Sequence, residues 1–89
     1  MKRKPFEIRN KILILKTELV DIISFNLKHP HSEINEEPYR QRINTLETCF
    51  KLEEFEIRNL YNELLNSNES GDIKDIVLYE LNWLLNNAR

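Results

Sequence analysis

One glycine in 89 residues leaves the chain almost no means of turning a tight β-hairpin, whose two-residue loops call for residues at positive φ. The same scarcity excludes a glycine-rich loop able to cradle phosphates. A lone cysteine, Cys49, rules out an internal disulfide and reads as an inert, buried or half-buried thiol. No apolar run is longer than Ile12 to Leu15, far short of the about 18 residues a membrane span requires. Met1 to Pro5 leads into charged sequence instead of the apolar stretch of a secretory signal, so the reading is cytoplasmic. Alanine occurs only at position 88 while Asn, Ile, Leu, Glu and Lys dominate, a bias associated with AT-rich genomes such as those of low-GC bacteria and their phages.

What is present is charge and helical periodicity. A chain of this length can bury one core, so residues 1–89 are expected to form a single domain. Net charge is −2, unevenly spread: residues 1–30 carry seven Lys/Arg against three Asp/Glu, and residues 31–71 carry four against nine. A basic first helix lying beside an acidic second one accounts for this within one fold. A nucleic-acid binder would need Lys2, Arg3, Lys4, Arg9, Lys11 and Lys16 aligned on one exposed surface, and that reading ranks low.

The first helix is expected over residues 5–28, from Pro5 to the breaker pair His29-Pro30. Ile8, Ile12, Leu15, Leu19, Ile22 and Ile23 recur at threes and fours and form its core stripe. Phe6, Leu13, Val20 and Leu27 recur at sevens, turned by roughly 100° or more from the first stripe. Residues 29–35 form a loop from which Asn35 or Ser32 can cap the next helix. That helix is expected over residues 36–66. Tyr39, Ile43, Leu46, Phe50, Ile57, Leu60 and Leu64 keep a four-and-three spacing interrupted only by Glu53. About 31 residues at 1.5 Å each would reach roughly 46 Å, so either this helix breaks, most plausibly around residues 51–54, or the protein is elongated. With no Gly, Pro or common capping residue there, the expectation is one continuous helix. Residues 66–71, Asn-Ser-Asn-Glu-Ser-Gly, form a turn, and Asp72 with Asp75 resembles a capping box for a third helix over residues 72–87.

The fold expected is therefore all-α, a three-helix antiparallel bundle with long first and second helices, elongated and dimeric. Each helix carries a second apolar side: Phe6, Leu13, Val20 and Leu27; then Thr45, Thr48, Leu52 and Phe55; then Ile76, Tyr79 and Trp83. A monomer exposes little contiguous apolar surface, so something must cover these faces, and identical copies are the nearest candidate.

Chemistry is sparse. His29, His31, Glu33, Glu36 and Glu37 are the only dense group of possible metal ligands, but two histidines one residue apart in a loop lack the i, i+4 spacing of a helical zinc pair. No catalytic residues, metal or cofactor are assigned. Two resemblances bear on enzyme readings. Pro38-Tyr39-Arg40 on a long-helix architecture loosely resembles the all-helical chorismate mutases, without a matching set of active-site cations. Residues 57–86, with Ile57-Arg58-Asn59-Leu60 before the turn and Glu80-Leu81-Asn82-Trp83-Leu84-Leu85 after it, resemble the helical hairpin of small phosphatases that act on sporulation response regulators. That family's motif ends in a catalytic-type Asp where this chain has Asn82, and its Ser position is Leu78. The resemblance thus implies a binder of response regulators without phosphatase chemistry.

The leading reading is a non-enzymatic helical protein–protein interaction module, a small regulator, inhibitor or immunity-type protein that docks on a partner protein and forms a homodimer. A small helical enzyme and a nucleic-acid binder rank below it. Its expected anchors are Leu52, Phe55, Tyr79 and Trp83, with Glu53, Glu54 and Glu56 steering a basic partner surface.

Overall fold

The computed structural model of the protein describes residues 5–86. Among these the regular structure is entirely helical: α1 (Pro5–Lys28), a short 3-10 turn (Pro30–Ser32), α2 (Glu37–Cys49), α3 (Glu54–Leu65) and α4 (Asp72–Asn86). The bounds of α1 are those its breakers dictate, and its final turn closes with the His29 N–H donating to the Phe25 carbonyl at 2.9 Å. Asn26 then pins the following loop: its Oδ1 accepts from the Ile34 N–H at 2.7 Å and its Nδ2 donates to the Ile34 carbonyl at 2.9 Å. Asn35 opens α2 by accepting the Glu37 N–H at 3.0 Å, satisfying one of the donors a helix start leaves unpaired.

The expected helix over residues 36–66 is two helices, and the three-helix bundle is corrected to four helices. The chain leaves α2 through Phe50 and restarts at Glu53, whose ψ of 159° is extended. Glu53 is the N-cap of α3 in a reciprocal capping box: its side chain accepts the Glu56 N–H, and its own N–H donates to the Glu56 carboxylate at 2.9 Å. The one polar interruption in the apolar spacing is therefore the point where the helix breaks. Glutamate is outside the usual set of capping residues, which is why composition favoured continuity.

Gly71, at φ 124°, sets the chain direction into α4, a conformation other residues adopt only with strain. Asp72 is the first helical residue, so the turn is made by the glycine ahead of it. Residue 87, the expected end of this helix, lies outside the described residues.

α1 packs on α2, α2 on α4, and α4 on α3. That spatial order makes a thin layer of helices in place of a two-by-two bundle, with extents of 45 × 34 × 15 Å. The radius of gyration is 14.6 Å, against about 12 Å for a compact 89-residue domain. The core runs through the layer: Ile8 and Leu15 from α1, Ile43, Leu46 and Cys49 from α2, Ile57 from α3, and Leu81 and Leu84 from α4. A thin layer buries one side of each helix and leaves much of the other side to solvent.

Candidate functional site

The surface of α1 opposite the core is the largest consequence of this layering. Ile8 and Leu15 are buried, while Phe6, Leu13, Val20 and Leu27 are 80%, 62%, 60% and 81% exposed. The sevenfold spacing places these four in a line, turned by about 130° from the core stripe at 100° per residue. α1 is thus amphipathic twice over, with one apolar face used inside the fold and one facing out.

The expected anchors, Leu52 in the turn between α2 and α3, Phe55 on α3, and Tyr79 and Trp83 on α4, separate into two kinds. Phe55 and Tyr79 are exposed, whereas Leu52 and Trp83 are partly buried and pack against the core. Each exposed ring stands two residues from a buried one, Phe55 from Ile57 and Tyr79 from Leu81, which turns it roughly 160° away from the core. Trp83 is held from the other side by α1, with the Lys11 ammonium 4.1 Å from the centre of its ring and 5.4 Å from that of Tyr79. The structure therefore brings Tyr79 and Trp83 together under one cation and leaves Phe55 on a different helix. The acidic run is occupied in local structure: Glu53 and Glu56 make the capping box, and Glu54 pairs with Arg58 at 3.0 Å.

Sequence reasoning missed Glu80. It is a fully buried carboxylate on α4, reached by cations from two other helices. Arg42 Nε of α2 donates to Oε1 at 2.8 Å, and Lys11 Nζ of α1 lies 2.7 Å from Oε2. The Lys11 contact is an ion pair without a well-directed hydrogen bond, since Oε2 accepts none in good geometry. A buried carboxylate is retained only when paired, and two cations pair this one. The node ties α1 to α4 across the layer, where these helices otherwise touch little. A lone acid between Val77 and Leu84 on an apolar face was the available signal; its partners, far away in sequence, were not.

Three cations of α1 also make contacts within the fold. Lys11 is committed to Glu80, Lys16 pairs with Glu47 at 3.1 Å, and the Arg9 guanidinium lies 5.4 Å from the centre of the Phe50 ring. Lys2, Arg3 and Lys4 lie outside the described residues. His29 and His31 are both exposed, and His29 stacks on Phe25 with ring centres 4.5 Å apart. Among the described residues no three His, Cys, Asp or Glu side chains converge to hold a metal, and no helix is long and apolar enough to cross a membrane.

A groove of about 440 Å³ is lined by residues of α2, α3 and α4. Its lining includes the apolar Cys49, Leu64, Val77 and Leu81 and the polar Gln41 and Glu63. A search of protein-family models, of curated proteins and of solved structures finds no match to this chain.

Proposed function

We propose that this protein is a helical protein–protein interaction module, a small non-enzymatic regulator, inhibitor or immunity-type protein that self-associates and docks on a partner protein. The observation that carries the reading is the number of large apolar side chains left outside the core on separate helices, with Phe6 80%, Leu13 62%, Phe55 64% and Tyr79 63% exposed. Such side chains are costly to keep in water across a contiguous surface and supply most of the binding energy when an interface covers them. The foreign partner is taken by the surfaces around Phe55 and Tyr79, because these rings project away from the core. Leu52 and Trp83 are partly buried and pack against the core.

The test is a photo-crosslinking residue placed at Phe55 or Tyr79 in the full chain, with Lys51 as an exposed control, in host cells. The reading expects one discrete crosslinked protein from positions 55 and 79 and none from 51. Phe55→Glu and Tyr79→Glu should abolish that crosslinked complex while far-UV circular dichroism stays unchanged. Equal labelling from all three positions would contradict it.

A further inference from the structure

The outward face of α1 carries more than four apolar side chains in a row. Between them, four residues after Phe6, Leu13 and Val20 respectively, stand Asn10, Thr17 and Ser24. All seven positions are exposed, and together they step by four and three along the whole of α1 without a slip. That is the spacing of a two-stranded coiled-coil seam, with Phe6, Leu13, Val20 and Leu27 at one core position of the heptad and the three polar residues at the other. It is a second seam, independent of the one α1 uses against α2.

We propose that this face is the interface between two copies of the chain, paired through α1 as a parallel, in-register coiled coil. The inference rests on reading the protein as an interaction module, and it names which surface self-association uses. Three observations fix the occupant. First, there is apolar surface to cover: the whole chain exposes 6399 Å², against about 5,500 Å² for a compact monomer of 10.8 kDa, and on this face Phe6, Leu13, Val20 and Leu27 are all more than half exposed.

Second, the polar positions select the orientation. In parallel register Asn10 meets Asn10, Thr17 meets Thr17 and Ser24 meets Ser24, while each apolar layer meets its own copy. An antiparallel pair would set each of these polar side chains against an apolar one. Asparagine at a single seam position is the feature that specifies two strands and their register, because its amide is satisfied only by its twin. Thr17 adds little polar cost, since its hydroxyl already donates to the Leu13 carbonyl of its own helix at 3.0 Å and leaves the methyl group for the seam. Third, charge agrees with that orientation. Lys16 and Asp21 flank the seam on opposite sides, five residues apart, the offset at which side chains of two parallel strands pair across the interface. Asp21 is exposed, and Lys16 remains half exposed in its contact with Glu47.

The experiment is disulfide trapping in the full chain with Cys49→Ala, using Asn10→Cys, Ser24→Cys and Val20→Cys variants, beside the solution mass of a Leu13→Glu variant. Parallel pairing predicts that Asn10→Cys chains oxidise to covalent dimers with themselves, as do Ser24→Cys chains. A mixture of Asn10→Cys and Val20→Cys should give no mixed dimer. Leu13→Glu should raise the dimer dissociation constant by at least about a hundredfold with helicity intact. Preferential mixed dimers of positions 10 and 20 would show antiparallel pairing and overturn the proposal. A dimer indifferent to Leu13→Glu would move self-association to another face, overturning this inference while the wider module reading stands on its own Phe55 and Tyr79 test. A single-chain mass at all concentrations, with no trapped product, would remove the interface altogether.

Discussion

Replacing Glu80 by glutamine perturbs one charge in the most buried polar site of the fold and nearly nothing else in shape. The carboxylate is wholly shielded from solvent, while the side chains of Lys11 and Arg42 are 17% and 30% exposed. Breaking a buried ion pair by removing one partner costs about 3–5 kcal/mol, most of it for the charges left behind. Here two cations are left behind, but both reach water and can rehydrate, which places the expected loss near the low end, about 3 kcal/mol. A domain of this size is stabilised by about 5–13 kcal/mol in total, so the loss is a large fraction of it. Urea titration followed by circular dichroism should show the midpoint falling with its slope unchanged, and the melting temperature should drop by roughly 12–24 °C. Lys11→Met should cost less, because Arg42 still holds Oε1 and the methionine keeps contact with Trp83. A Glu80→Gln loss within about 0.5 kcal/mol, the range of an ordinary surface change, would refute the claim that this node ties α1 to α4.

Other substitutions read out single features of the fold. Glu53→Ala removes the N-cap of α3 and should destabilise the protein by about 1 kcal/mol, with faster amide exchange at Glu56 than elsewhere in the helix. Asn26→Ala frees the loop at Ile34 and should cost about 1–2 kcal/mol, measured by denaturation and by loss of protection at the Ile34 amide. Gly71→Ala meets no atom within 4 Å, so its cost of about 1 kcal/mol or more would come from the backbone at φ 124° alone; an unchanged melting temperature would show that the turn had shifted. Trp83→Glu is expected to lower stability, unlike Tyr79→Glu, since Trp83 packs on the core while Tyr79 is 63% exposed.

Local signals carried the sequence reading a long way where both ends of an element were marked. α1 is bounded by Pro5 and by His29-Pro30, and the outer line Phe6, Leu13, Val20, Leu27 is legible because, at 100° per residue, those positions fall about 130° around the helix from the Ile8 to Ile23 stripe. The break at Glu53 is visible as a fault in the apolar spacing, but glutamate seldom caps helices, so residue type by itself favours continuity. Its partner Glu56, three residues on, is the half of the capping box that should have outweighed that prior. Glu80 shows the other kind of limit. Its burial depends on Lys11 and Arg42 arriving from two distant helices, and no local pattern announces a contact of that range. For the same reason Leu52 and Trp83 could not be told from Phe55 and Tyr79 by periodicity: which aromatic side faces out depends on how the helices are laid against one another, and here they form a layer.

The measurement that bears most directly on the account is the mass of the intact chain in solution, by light scattering on a sizing column over a hundredfold range of concentration, beside Leu13→Glu. The account predicts twice the 10.8 kDa chain mass for the native protein and the single-chain mass for the variant, both fully helical. A native protein that stays at the single-chain mass throughout would contradict it, leaving the outer face of α1 uncovered by its own copy.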